Sequence, residues 1–334
     1  MVLTAETVAE VSPFALAAAV GLMLLAESIS PLVPLLPGKH RARHAWRNVS
    51  IALFTALFAV GGNFFLVGVA AWTSNHQVGL LNLVETPWVI RFLVALAGLD
   101  FFEWIRHRMH HRVPLLWRLH RVHHTDPHVD STTALRGHPL ESLVAYSYFS
   151  VLVLLLGIDP LSLALRSLIC AVALAWHHAG FRIPERLDAL ISLVTPTPRT
   201  HRVHHSRDVR FTDSNFGTLF TWWDRLLGTF NPGDANPEGK TGLEGFDHPE
   251  AQSLLGVLRS PLWHVVHDQG GKLVKVPAPA THPGRLPDQR SIPAAPPGRP
   301  ERSARRRLRS EYLQLRRDRL RQYLFGVGGP RVRG

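Results

Sequence analysis

Apolar residues in the first half of the chain gather into long runs rather than into the short periodic stripes of a soluble protein. Residues 49–72 form a run whose one strongly polar member is Asn63. About 20 apolar residues in a helix span the ~30 Å hydrocarbon layer of a bilayer, so this run predicts a membrane-crossing helix. Residues 12–36 form a second run, weakened by Glu27, Pro31 and Pro34, and residues 88–104 a third, with Arg91 near its start and Asp100 and Glu103 near its end. Runs at 143–156 and 161–176 flank Gly157-Ile158-Asp159-Pro160. Each is short for a perpendicular span, so the pair reads as a tilted or re-entrant hairpin. A buried hairpin in a soluble core is the alternative, disfavoured by the three runs before it. The pattern predicts an all-α chain: an integral membrane helical bundle with a helical cap on the cytoplasmic face and a disordered C-terminal tail.

The rest of the chain divides by composition. Residues 1–87 read as N-terminal transmembrane helices and 88–235 as a catalytic domain containing the membrane hairpin 143–176. Residues 236–270 read as mixed loop and helix, 271–300 as a Pro-rich linker, with eight prolines between 276 and 300, and 301–334 as a basic tail. Within the tail, 303–325 can form an amphipathic helix with Leu308, Tyr312 and Leu315 on one side. Residues 1–11 contain Glu6 and Glu10 and no Lys or Arg, the opposite of a cleaved signal's basic start, so the first run is expected to remain as a membrane helix. No internal repeat is visible beyond a duplicated His-x-x-His-His.

Composition adds charge and orientation. The 334 residues are 46% hydrophobic with mean hydropathy +0.04, so distribution, not average, carries the membrane signal. Net charge is +12, and residues 301–334 supply +8 of it, with 11 Arg against Glu301, Glu311 and Asp318. No nucleic-acid-binding module accompanies this charge, and attraction to anionic lipid headgroups explains it better; a solvated tail without function stays open. The segment after the first run carries Lys39, Arg41, Arg43 and Arg47, whereas residues 73–87 carry no Lys or Arg. The positive-inside rule then puts the first connection in the cytoplasm. The third run returns there just before His107, and the hairpin leaves and returns again. Arginine outnumbers lysine 33 to 4, which hints at a GC-rich bacterial genome and hence a bacterial cytoplasmic membrane.

Histidine carries the chemistry. Thirteen of the 20 histidines lie between residues 107 and 205, in His107-x3-His111, His120-x2-His123-His124 and His201-x2-His204-His205. Residues four apart share a helix face, so His107 with His111, His120 with His124, and His201 with His205 can each bind one metal together. Eight imidazoles exceed the needs of one ion and predict a two-metal site of two similar half-sites. The single cysteine, Cys170, excludes an internal disulfide and leaves nitrogen and oxygen to hold metal. His110, outside the pattern, and His40, His44, His76 and His128 read as structural.

These clusters stand in a longer ordered series. It runs Asp100-Phe101-Phe102-Glu103-Trp104 to His107 and His111, Leu116-Trp117-Arg118-Leu119-His120 to His124, and Arg136-Gly137-His138-Pro139-Leu140-Glu141. It continues with His178-Ala179-Gly180, Thr195-Pro196-Thr197-Pro198 to His205, Asn215-Phe216-Gly217 and Trp223-Asp224 to Thr229. Over residues 90–230 this resembles the fatty acid hydroxylase/sterol desaturase superfamily, with Trp104 where the family usually has tyrosine. The resemblance implies two non-haem iron ions, dioxygen as co-substrate, a lipid substrate from the bilayer and a separate electron-donor protein of cytochrome or ferredoxin/reductase type. It implies metal ligation by His107, His111, His120, His123, His124, His178, His201, His204 and His205. His138 and His177 are further ligands or supports. Asp100, Glu141 and Asp224 are expected to orient ligand imidazoles or to pair with Arg106, Arg136 or Arg225. Hydroxylation of a lipid is the leading expectation, with a desaturase or ether-lipid monooxygenase beside it. A zinc- or lipid-binding protein without turnover, and nucleic-acid binding through the tail, are the expectations from other classes.

Overall fold

The computed structural model describes residues 4–232, 240–267 and 273–277. The basic tail, its expected amphipathic helix and the linker beyond residue 277 lie outside the described residues. Six helices build the frame: α1 (Ala5–Ile29), α2 (Gly38–Asn75), α3 (Trp88–Arg112), α4 (Pro114–His124), α5 (Pro139–Leu156) and α6 (Pro160–His178). Shorter ones follow: α7 (Glu185–Ile191), α8 (Pro198–His204), α9 (Val209–Thr212), α10 (Trp222–Leu226) and α11 (Leu254–Arg259). The helical expectation holds, and one short ribbon accompanies the helices. Strands β1 (Trp263–His267) and β2 (Leu273–Pro277) pair antiparallel with Trp263 opposite Pro277.

Local chemistry sets the helix ends. Thr4 caps α1 by accepting from the Thr7 amide, and Pro31 and Pro34 prevent its continuation, so the helix is shifted N-terminally from the predicted run. Lys39, Arg41, Arg43 and Arg47 lie in the first turns of α2, not in a loop. Gly157 ends α5 in the left-handed conformation (φ 76°), and Asp159 caps α6 by accepting from Ser162 N at 2.9 Å. His138 caps α5: its Nδ1 accepts from Leu140 N at 3.1 Å.

Among the described residues four helical segments are long and apolar enough to cross a membrane: α1, α2 extended through Asn82, α5 and α6. The sequence predicted a fifth in α3. Arg91, Asp100 and Glu103 set α3 apart from that group, although at 25 residues it is as long as α1. Large apolar side chains face outward along the spans, including Phe14 (75% exposed), Leu57 (74%) and Phe64 (74%). Such a band suits hydrocarbon better than water. Inside, Leu66 and Ala70 of α2, Leu99 of α3, Phe149 and Val153 of α5 and Leu163 of α6 form one buried cluster.

The bundle has two distinct ends. At one, the start of α3 meets the turn after α2 and the α5–α6 tip: Arg91 donates to Asn82, and the Trp88 indole reaches Asp159 at 3.5 Å. There Gly79 and Gly157 touch so closely that a Cβ on Gly79 would lie 2.2 Å from the Gly157 nitrogen. The other end gathers the end of α1, the starts of α2 and α5, the ends of α3 and α6, and all of α4 and α8. The buried Glu27 carboxylate ties α1 into it, accepting from Ser131 N and Gly180 N at 2.9 Å each and pairing with Arg41 at 3.0 Å.

Candidate metal centre

Four helix ends deliver the histidines. His107 and His111 lie in the last turns of α3, His120, His123 and His124 end α4, His178 closes α6, and His201 and His204 ride on α8 with His205 as its C-terminal cap. A capping box between Thr197 and Thr200, with Pro198 in the first turn, starts α8 and fixes which way its histidines turn. The nine imidazoles meet in two groups. His107, His111, His120, His124 and His204 form one and His123, His178, His201 and His205 the other, each offering a nitrogen within 4.8 Å of its group members. The i, i+4 pairs share a group, as their spacing predicts. The middle histidines cross over: His123 leaves its cluster for the four-membered group and His204 leaves its own for the five-membered one.

The outward nitrogens reveal what the inward ones are for. Nδ1 of His107 faces the Phe216 carbonyl (2.9 Å), that of His204 the Ser214 carbonyl (2.7 Å), that of His123 the Arg136 carbonyl (3.1 Å) and that of His178 the Leu174 carbonyl (2.8 Å). A carbonyl only accepts, so each Nδ1 carries the proton and each Nε2 turns a lone pair inward. His120 does the same through the Glu141 carboxylate at 2.7 Å. The Nε2 atoms of His123 and His178 then stand 3.0 Å apart with no proton between them. His201 and His205 bring Nε2 to 3.0 and 3.3 Å from that of His178 and to 3.2 Å from each other. These four nitrogens cannot all be satisfied by hydrogen bonds among themselves. A cation at their centre resolves the conflict: at metal–nitrogen distances of ~2.0–2.1 Å, neighbouring ligands lie about 2.9–3.4 Å apart.

In the five-membered group the buried Nε2 atoms of His107, His111 and His204 have no hydrogen-bond partner. Unmatched buried polar atoms are rare, and several converging on one point fit a metal. Burial, reinforced by neighbouring imidazoles, holds His107, His120, His124, His201, His204 and His205 well below the ordinary histidine pKa. Neutral rings are the form that binds metal.

The three acids divide. Glu141 meets a group member directly, at His120. Asp100 touches no histidine; it accepts from Leu219 N (2.9 Å), Phe220 N (3.1 Å) and the Trp223 indole (2.9 Å). Asp224 accepts from Phe216 N, Gly217 N, the Trp104 indole and the Thr229 hydroxyl, and so acts on His107 through the Phe216 carbonyl. Of the three acids expected to orient imidazoles or to pair with arginine, Glu141 meets a group histidine directly, while Asp100 and Asp224 hold the backbone of one loop. Trp104 keeps a polar role, its indole N–H donating to Asp224 at 2.9 Å. His138 is committed elsewhere, with Nε2 on the Leu258 carbonyl (3.2 Å) in addition to its cap. His177 is buried against His201 (ring centroids 4.1 Å) but belongs to neither group. His110 stays outside both, with Nδ1 on the Arg106 carbonyl (2.7 Å).

Sequence reasoning missed Asp213, 3.4 Å from His111 Nδ1 and also 3.5 Å from Arg112, and it missed every carbonyl acceptor. Asp213 stands two residues before the Asn215-Phe216-Gly217 motif, a signal too local to link it to a helix a hundred residues earlier. His44 pairs with Asp126 (2.8 Å) and Asp130 (3.2 Å), the structural role expected of it.

The family model described as Fatty acid hydroxylase matches residues 92–229. Residues 92–229 are a fatty acid hydroxylase domain. The chain is 31% identical over 170 residues to the alkylglycerol monooxygenase of Danio rerio, covering 50% of this chain and 36% of that protein. It is 27% identical over 218 residues to a cholesterol 25-hydroxylase-like protein of Danio rerio, covering 62% of this chain and 84% of the relative. With the ornithine lipid hydroxylase OlsE of Rhizobium tropici it shares 28% identity over 179 residues, 53% of this chain and 52% of the relative. The chain thus spans little more than a third of the alkylglycerol monooxygenase it matches. No solved structure matches it significantly.

Proposed function

We infer that this fatty acid hydroxylase domain works as a membrane-bound non-haem di-iron oxygenase that hydroxylates a lipid. The observation that carries the reading is the convergence of two sets of imidazole lone pairs, five and four, with the outward Nδ1 atoms of His107, His111, His120 and His204 in the first and of His123 and His178 in the second facing carbonyls or carboxylates. His107, His111, His120, His124 and His204 would hold one iron, and His123, His178, His201 and His205 the other. Iron would supply the dioxygen chemistry needed to oxidise an unactivated C–H bond, which no side-chain acid or base can do and redox-inert zinc does not support.

The chain's own residues prepare the site. Burial keeps the rings neutral and water away, while Glu141 holds the proton on Nδ1 of His120. The outward-facing apolar helices suit a substrate with an acyl or sterol-like body drawn from the bilayer. The basic residues of α2 share the bundle end of the histidines, which supports a cytoplasmic-side active site, reached by electrons from a separate cytochrome- or ferredoxin-type protein. Arginine-rich composition favours a bacterial cytoplasmic membrane as its location. A second reading, ether-lipid cleavage by the same chemistry, is supported by the 31% identity to an alkylglycerol monooxygenase.

Protein purified from iron-replete cells is expected to carry about two irons, and cells expressing it to accumulate a lipid heavier by one oxygen. Stoichiometric zinc with no oxygen uptake would sink the oxygenase reading. A lipid lighter by two hydrogens would assign desaturation, and a released aldehyde with a free glycerol would assign ether cleavage.

A further inference from the structure

The two groups of histidines are oriented by different parts of the chain. In the five-histidine group, His204 and His107 donate to the carbonyls of Ser214 and Phe216, alternate residues of one loop. Asp224 grips that loop: its carboxylate, fully buried, accepts from Phe216 N at 2.9 Å, Gly217 N at 2.8 Å, the Trp104 indole at 2.9 Å and the Thr229 hydroxyl at 2.6 Å. The loop is closed tightly there, since a Cβ on Gly217 would lie 2.4 Å from the Phe220 carbonyl oxygen and 3.0 Å from Asp224 Oδ2.

In the four-histidine group, His123 donates to the backbone carbonyl of Arg136. The Arg136 side chain, 2% exposed, anchors that carbonyl by donating to Val122 O (2.9 Å), Thr125 Oγ1 (2.8 Å), Asn48 Oδ1 (3.1 Å) and Gln252 Oε1 (3.0 Å). Asn48 in turn donates to Asp126 at 3.1 Å, which pairs with His44. The Asp224 set and the Arg136 set have no residue in common.

Resting on the two-metal reading above, we propose that Asp224 and Arg136 are positioning residues for separate metal positions. Asp224 sets the five-histidine position through the loop carbonyls, and Arg136 sets the four-histidine position through His123. The physical reason is that a carbonyl displaced from an imidazole N–H frees the ring to rotate or change tautomer, and the inward lone pair loses its aim. Partners at one remove from a metal typically contribute about 10–100-fold to its affinity.

The test uses the full chain in detergent, stripped by chelator and titrated with cobalt(II), with bound cobalt and its visible absorption read together. In a His201→Ala/His205→Ala background only the five-histidine position remains; in a His107→Ala/His111→Ala background only the four-histidine one. Asp224→Asn, with Trp104→Phe as a gentler variant, should weaken cobalt binding about 10–100-fold in the first background and leave it within about threefold in the second. Arg136→Met, with Gln252→Leu as its gentler counterpart, should do the reverse. Equal weakening in both backgrounds, as a purely structural role produces, overturns the proposal, and so does no weakening in either. An unmutated chain that binds fewer than two equivalents overturns the two-metal reading and this inference with it.

Discussion

His123 and His204 stand at the same place in two nearly identical stretches, 119–124 and 200–205, and each parts from its sequence neighbours to join the other stretch's metal group. Spacing told which residues share a face, and that was enough for the i, i+4 pairs. It did not tell which neighbouring helix that face meets, so the partner of the middle histidine in each stretch was illegible. The consequence is testable. His204→Ala is expected to behave like His111→Ala, losing the metal of the five-histidine group, and His123→Ala like His201→Ala. Each should cut turnover by more than the ~100-fold typical of outer partners while membrane insertion is unchanged. Wild-type turnover in either His123→Ala or His204→Ala removes that residue from the ligand set. The acids show the same limit. Glu141 sits three residues after His138 with no sequence link to His120, and only packing of α5 against α4 brings them to 2.7 Å.

At the scale of elements, most helices were legible because apolar runs, prolines and capping residues act locally. The ends of α5 and α6 follow from Gly157 and Asp159, and that of α1 from Pro31 and Pro34. The charges that set α3 apart from the spans were in the sequence, but what accommodates Asp100 was not: two backbone amides and an indole donate to it from a loop about 120 residues later. The helix ends also create a pH liability. Burial pushes His123 down to about 4, while an unfolded histidine titrates near ~6.5. Between those values the unfolded chain binds more protons than the folded one, so stability is complete above about pH 6.5 and is lost as pH falls toward 4. The metal-free protein should therefore melt at lower temperature at pH 5 than at pH 7.5, with a cost of about 1.4 kcal/mol per pH unit for each such ring. A melting temperature that does not change across this range would contradict neutral, buried imidazoles. Bound metal should deepen the dependence, since protons and metal compete for the same nitrogens.

At the scale of the whole molecule, the bundle carries its chemistry at one end and its turns at the other, with an apolar band between. Removing residues 301–334 is expected to leave turnover of solubilised protein unchanged and, at most, to weaken association with anionic vesicles; loss of turnover would instead tie the tail to the site. By itself the sequence determined the helical class, the runs suited to lipid, the family that residues 92–229 match and which histidines pair on one helix face, since all of these depend on neighbours within a few residues. Only the tertiary structure decided the division into five and four, the exchange of His123 and His204 and the carbonyls that aim the rings. It also decided the separate grips of Asp224 and Arg136. Those depend on where distant backbone atoms come to rest, and a peptide carbonyl looks the same in every residue of a sequence.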